Sequence, residues 1–392
     1  MRIVLLAPFA VHPKGTTRWR VLPLARALAT QGHAVRVAIP PYDWPSHSGL
    51  RWRDHGVEVA NAVLPDLRWP AGHGLLAARL VQAALAWQPD VVHCFKPKGH
   101  SGLAALALLA QRSVPVVVDA DDYEAGWNRL LGYPAHWQAL FAWQERDLLR
   151  RAQAVTVASR WLENLAGQLG QPRRFYLPNG VEGSYSQNTT PGGYATGRNR
   201  LRVLLYTRFV EHSAAQVWRV WRRILAAQPE AQLLVVGPAD GGEAGKFARS
   251  AEAAGAGRSV LMLGWLPPAA RPGLFAAVDA AMLPVQDTLL NRAKSPMRLL
   301  DLLAAGVPVA TQRVGEYGAL VVDGVSGLLA APGDADALAD HVVSLLRSPD
   351  LGPRLGRAAQ QDVQARFAWP ALADTALAAY RAADWSSRVA WV

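Results

Sequence analysis

The feature that most limits what this chain can fold into is a repeated alternation. Apolar, β-branched runs recur at Ile3–Leu6, Val35–Ile39, Val91–His93, Val116–Val118, Val155–Val157 and Phe175–Leu177, with segments of helical period between them. Runs that are apolar throughout, rather than at every second position, belong to a sheet covered on both faces, so the pattern predicts a parallel sheet between helices. The first intervening helix sets Leu24 and Leu28 on one face and ends at Gly32, where a left-handed cap is expected.

The alternation lapses after Pro178-Asn179-Gly180 and then restarts with Val203–Tyr206, Leu233–Val236, Val260–Leu263, Ala280–Leu283, Val307–Ala310 and Gly327–Leu329. The chain of 392 residues suits two domains at about 150 residues each. We expect an N-terminal domain over 1–185, a Ser-, Gly-, Thr- and Asn-rich linker over 186–200 and a C-terminal domain over 201–368. A helix and tail over 369–392 have a route back to the first domain. The expected class is α/β, two doubly wound domains facing each other across a cleft, with ligands beyond the carboxyl ends of the strands.

Charge and composition narrow the partners. Lys and Arg number 41 against 30 Asp and Glu, a net +11, which favours anionic ligands such as phosphates or acidic lipid. The basic residues are scattered and no recognised module occurs, so nucleic acid is not expected. The lone Cys94 excludes an intramolecular disulfide and a Cys-rich metal site. Met1–Val11 is apolar but interrupted by Pro8, and is read as a buried first strand rather than a leader. Leu103–Ala110, the longest charge-free apolar stretch, falls far short of the roughly 20 residues that span a bilayer. The expected location is cytoplasmic, with a peripheral position at the inner membrane face left open.

Several motifs fail on inspection. Gly237–Lys246 lacks the first glycine of a phosphate-binding P-loop and has Phe247 where Ser or Thr is needed. Gly99-His100-Ser101-Gly102 misses the nucleophile-elbow spacing, and Gly255-Ala256-Gly257 lacks a third glycine. Asn188-Thr189-Thr190 matches a glycosylation acceptor only by chance. Asp119-Ala120-Asp121-Asp122 with Glu124 has three open uses: a hard cation, a cap for the next helix, or a catalytic or hydroxyl-binding role. His93 and His100 lie near the preceding strand end, as cleft residues or as satisfied structural ones.

The stretch Lys294-Ser295-Pro296-Met297-Arg298-Leu299-Leu300-Asp301-Leu302-Leu303-Ala304-Ala305-Gly306-Val307-Pro308-Val309 resembles the donor loop, acidic helix and following strand of retaining GT-B glycosyltransferases, family 4 in particular. The resemblance implies two Rossmann-like domains and transfer of a sugar from a nucleoside-diphosphate sugar to an acceptor hydroxyl, with retention at the anomeric carbon. A helix starting near Met297 aims free N–H groups and a positive dipole end at a diphosphate, and Lys294 and Arg298 add charge. Ser295 and Met297 lie in the same donor loop. Asp301 matches the family carboxylate that accepts from the nucleotide ribose; the other reading has it facing solvent while the leucines pack.

Tyr206-Thr207-Arg208-Phe209 resembles the family's basic loop, with Arg208 matching and Ser213 at the usual Lys position. Gly264-Trp265-Leu266 is similar to the loop that borders the nucleotide base, unless Trp265 is buried. Gly315-Glu316, Asp323-Gly324 and Gly327 resemble the closing turn before the last strand. In the first domain, Gly15, Thr16 and Thr17 match the loop where backbone approaches donor and acceptor. Arg18 and Arg20 after it suit an anionic group or a solvated helix face equally. Two positions depart from the family: the first residue of its paired-Glu motif is Ala293, and its active-site His falls on Asp121.

The resemblance thus assigns Arg208, Lys294 and Asp121 to catalysis. It assigns Asp301, Ser295, Met297, Arg298, Trp265 and Leu266 to the donor, and Gly15, Thr16 and Arg18 to the acceptor or phosphate loop. No obligatory cofactor and no divalent metal are assigned; the nucleotide sugar is a co-substrate. Residues 1–185 carry 20 Lys and Arg against 13 Asp and Glu, with nine of the fifteen Trp. That combination suits a lipid-linked acceptor at an anionic membrane surface, beside a plain sugar acceptor. The alternatives kept are a GT-B sugar-phosphate synthase or epimerase, and an inactive nucleotide-sugar-binding protein.

Overall fold

A computed structural model describes residues 1–66, 71–183, 200–237 and 242–383. The linker expected over 186–200 lies, apart from Arg200, outside the described residues, as do Asn188-Thr189-Thr190 and the tail beyond residue 383. The chain packs as two units. The first takes in Met1–Glu182, the short segment Ala293–Ser295 and the C-terminal helix; the second takes in Gly183–Arg292 and Pro296–Ala368.

The first unit is built on eight strands: β1 (Arg2–Leu6), β2 (Ala34–Ile39), β3 (Arg51–Asp54), β4 (Val57–Asn61), β5 (Val91–Phe95), β6 (Val116–Ala120), β7 (Ala154–Val157) and β8 (Arg174–Tyr176). Their order is β3-β4-β2-β1-β5-β6-β7-β8, parallel except where β3 turns back antiparallel on β4. The order reverses at β1, which pairs with β2 on one side and β5 on the other. That reversal makes the loops after β1, β5 and β6 the natural place for a ligand. β1, β5 and β6 are buried along nearly their whole length, as the apolar runs predict. The hairpin of β3 and β4 was not legible as apolar runs, because Val57 and Val59 alternate with half-buried Glu58 and Ala60 at a sheet edge.

Between β1 and β2 the chain makes a π-helical turn over Thr17–Val21 and then the helix Leu22–Thr30. Leu24 and Leu28 are fully buried, and Gly32 takes the left-handed conformation, φ 86°. The C-terminal helix Trp369–Ala383 packs into this unit, where Trp369, Leu372, Ala376, Leu377 and Tyr380 join the core.

The second unit has six parallel strands: β9 (Arg202–Tyr206), β10 (Gln232–Val236), β11 (Val260–Gly264), β12 (Ala280–Leu283), β13 (Val309–Gln312) and β14 (Leu328–Ala330). The order β11-β10-β9-β12-β13-β14 reverses between β9 and β12. Leu299, Leu300, Leu302 and Leu303 are buried on the helix Met297–Ala304, which ends at Gly306, φ 70°. At the carboxyl ends of β9 and β10 the backbones come so close that a Cβ on Gly237 would lie 1.6 Å from the Thr207 carbonyl oxygen, so only glycine fits there.

Candidate active-site clusters and family

In the second unit, the loop after β9 and the helix Met297–Ala304 bring together charges that are far apart in sequence. The Arg298 guanidinium lies 3.7 Å from Glu211 Oε1 and over the Tyr206 ring, 5.3 Å from its centroid. Arg271 lies against the same ring at 5.7 Å, and its Nη1 is 3.5 Å from Asp301 Oδ2. Burial, and then the nearby charge of Arg208, push the Arg298 guanidinium below its usual value, while Glu211 pulls the other way. Arg298 Nε is buried with no hydrogen-bond partner among the described residues. A buried orphan donor in a cationic setting fits an anion, because anionic oxygens supply both the missing acceptor and the missing charge.

The loop that carries Arg208 is fixed from within. Thr207 Oγ1 lies 2.9 Å from His212 Nε2 and accepts from the Phe209 amide at 2.8 Å, and Phe209 has φ 56°. Arg208 itself is exposed. Ser213, at the position expected to hold a Lys, caps the next helix by accepting from the Gln216 amide at 3.2 Å. Asp301 does not face open solvent: its side chain is largely buried beside Arg271. Trp265 is 65% exposed, which corrects the reading of it as a buried residue; Leu266 beside it is half-buried.

The residues expected to hold the donor do not all fall in one unit. Met297 and Arg298 belong to the second, whereas Lys294 and Ser295 are buried in the first. Asn179 holds Ser295 twice, its amide donating to Ser295 Oγ and its Nδ2 to the Ser295 carbonyl, both at 3.0 Å. Ala293 is fully buried in the apolar cluster that contains Val118 and Leu162, and its carbonyl accepts from Ser159 Oγ at 2.6 Å. A carboxylate at this position would enter that core, a physical reason why the first family Glu is missing.

In the first unit the expected carboxylates divide into two systems. Asp119 is consumed by Arg20: Nε donates to Oδ1 at 2.8 Å and Nη2 to Oδ2 at 2.6 Å, and both side chains are essentially inaccessible. Arg20 therefore faces neither solvent nor an external anion, a correction to both readings of it. Arg18 is half-buried and lies over the Trp19 ring at 4.6 Å. Gly15 accepts from the Trp19 amide through its carbonyl.

Asp121, Asp122 and Glu124 form the second system, and the charge at its centre is the ammonium of Lys96, at 2.9, 2.8 and 2.8 Å from them. The three carboxylates have the spacing of a cation cluster, but the lysine occupies the cationic position. Thr16 Oγ1 donates to Asp121 Oδ2 at 3.2 Å, joining the loop after β1 to the loop after β6. Burial, opposed by Lys96 and aided by Asp122, Asp119 and Glu124, pushes Asp121 up to about 6. The cap reading is corrected as well: Tyr123 precedes the helix Glu124–Leu130 without a side-chain cap, and Glu145 from the helix Ala135–Arg151 accepts from the amides of Glu124 and Ala125. His93 is a structural residue between Tyr380 and Thr156. His100 stacks on His73, with Nε2 2.6 Å from His73 Nδ1.

Lys96, Glu145, Glu211 and Arg271 were not legible as site residues. Lys96-Pro97-Lys98 at the end of an apolar run was the one local signal; Glu145 and Arg271 act across the fold.

Two family models match the chain, the glycosyl transferase 4-like domain over residues 15–180 and glycosyl transferases group 1 over residues 197–362. The chain belongs to the group 1 glycosyltransferases. It is 25% identical over 387 residues to a phosphatidyl-myo-inositol mannosyltransferase of Mycobacterium leprae, covering 97% of this chain and 96% of that one. This glycosyltransferase shares its GT-B fold with sucrose-phosphate synthase of Thermosynechococcus elongatus, at a TM-score of 0.73 and 20% identity, covering 97% and 98% of the two chains. Anabaena HepE in complex with UDP and glucose matches at a TM-score of 0.71 and 18% identity, covering 96% and 98%.

Proposed function

We propose that this glycosyltransferase moves a sugar from a nucleoside-diphosphate sugar to an acceptor hydroxyl with retention of anomeric configuration. The observation that carries the reading is the Arg298 site: a half-buried arginine whose Nε is buried without an acceptor among the described residues, at the start of a helix, with Arg208 in the adjoining loop. Charge develops on the leaving diphosphate as the glycosidic bond breaks, and fixed cations and N–H donors stabilise that charge without reorganising. Asp301, held by Arg271, is placed to accept from a ribose hydroxyl, and the exposed indole of Trp265 offers a surface to the base. Asp121 takes the hydroxyl-positioning role that the family gives to His.

Thermal denaturation with UDP, GDP, ADP or CMP tests the donor site. A nucleotide at 100 times its Kd should stabilise the protein by about 2.7 kcal/mol, and the shift should vanish in Asp301→Ala and Arg208→Ala. No shift with any of the four would overturn the reading, and binding without turnover would favour the inactive nucleotide-sugar binder.

For the acceptor we infer a lipid-linked molecule at an anionic membrane. Among the described residues no helix is long and apolar enough to cross a membrane, and Leu130, Leu131 and Trp143 are 56, 63 and 52% exposed. Arg129 and Arg146, near them in sequence, are exposed too; apolar anchors with nearby cations suit an anionic interface. The name of the mycobacterial relative, phosphatidyl-myo-inositol mannosyltransferase, supports the same class. Co-sedimentation with vesicles containing phosphatidylglycerol at low salt should be strong and should weaken in Trp143→Ser; no sedimentation would sink the idea.

A further inference from the structure

Lys96 stands out because its position is held at a cost. It has φ 59°, a left-handed conformation that a long side chain rarely adopts, and such strain persists where the surroundings impose it. Its amide donates to the Asp119 carbonyl at 3.0 Å, and its own carbonyl accepts from Ser101 Oγ and from the Lys98 amide. The main chain is thereby pinned, and the ammonium is delivered into the carboxylate cluster with 6% of the residue exposed.

The carboxylates do not depend on it equally. Asp122 also accepts from Trp127 Nε1 at 3.1 Å, and Glu124 also pairs with Lys98. For Asp121, Lys96 is the cation at ion-pair distance among the described residues. Lys96 engages Oδ1 and Thr16 engages Oδ2, so the carboxylate is fixed in rotation with lone pairs of Oδ2 left to accept from a further hydroxyl.

We propose that Lys96 is the positioning residue of Asp121, holding that carboxylate ionised and oriented so that it accepts a hydrogen bond from a substrate hydroxyl. The inference rests on the hydroxyl-positioning role proposed for Asp121. The groups that face the site are Lys96 and Lys98 after β5, Asp119, Asp122 and Glu124 around β6, Arg20 after β1, Tyr42 after β2 and Glu145 from the helix behind. Arg20 already balances Asp119, and Lys96 is the ammonium that Asp121 shares with Asp122 and Glu124, so losing Lys96 takes from Asp121 its cation at ion-pair distance among the described residues.

The test reads the Asp121 carboxyl directly, by its 13C shift or infrared band, assigned by its loss in Asp121→Asn. It also reads the pH profile of turnover with the donor that the melting panel selects. In the native protein the carboxyl should titrate near 6, and the acid limb of turnover should follow it. An opposite charge this close lowers a carboxyl by about 1–3 units, so in Lys96→Met both midpoints should move up by about one unit or more. Lys96→Arg, which keeps the charge, should restore them and guards against a folding defect in the first variant. If Asp121→Asn keeps the native rate and acid limb, the role of Asp121 falls. If that variant is impaired but Lys96→Met titrates and turns over with native midpoints, only the role of Lys96 falls.

Discussion

Replacing Arg20 by Met should cost the first unit about 3–5 kcal/mol, the usual price of leaving a buried charge without its partner. The geometry places the expectation at the upper end. Arg20 gives Asp119 two hydrogen bonds, and it also donates to the carbonyls of Leu177 at 2.7 Å and Pro178 at 3.0 Å and to Asn179 Oδ1 at 3.1 Å. The change strands an inaccessible carboxylate, which among the described residues keeps Thr156 Oγ1 at 2.6 Å, and takes the arginine donor from two main-chain acceptors. Urea unfolding followed by tryptophan emission would measure it. With a slope of about 2.5 kcal/mol per molar for a unit of this size, the transition of the first unit should move down by roughly 1–2 M. Arg20→Met/Asp119→Leu removes the stranded charge and should recover part of the loss. A shift in Arg20→Met below about 0.4 M, or a double variant less stable than the single one, would show that the pair is not the buried, mutually dependent unit the distances describe.

Other outcomes follow from single contacts. Burial, and then the charge of Glu124, raise Glu145 from 4.5 to about 8; its contribution is fully present below pH 4.5 and is lost as pH rises through 8. Glu145→Gln should therefore flatten the fall in stability between about pH 5 and 8, seen as melting temperature against pH; an unchanged slope would remove Glu145 as its source. Arg208→Ala should lower transfer by about 10² or more at saturating donor, and near-native turnover would rule out its role at the leaving group. Gly237→Ala cannot keep both the present backbone and the Thr207 carbonyl where they are; it should weaken nucleotide binding and lower the melting temperature, and a native melt with native binding would contradict that close approach.

The sheets were readable because burial on both faces writes itself into the sequence as uninterrupted apolar runs. The edge hairpin β3-β4 writes only an alternation, and charges such as Arg51 and Arg53 hide it further. The helix Met297–Ala304 and its Gly306 ending were legible for local reasons, a leucine face and a left-handed cap. The chemistry around them was legible only in part. Which partner meets Arg20, or which cation sits among Asp121, Asp122 and Glu124, depends on strands 25 to 100 positions apart coming side by side, and no window of sequence contains that information.

The C-terminal helix sets an order for synthesis. The first unit holds the opening residues, yet its core is closed by Trp369, Leu372, Leu377 and Tyr380, whose hydroxyl lies 2.9 Å from His93 Nδ1. Burying each of these large side chains contributes about 1.5–3 kcal/mol, so a nascent chain lacking them keeps an apolar strip of its first sheet uncovered until Tyr380 has been made. The second unit draws on residues up to Ala368 and has no such dependence. The half that is made first is therefore the half that is finished last.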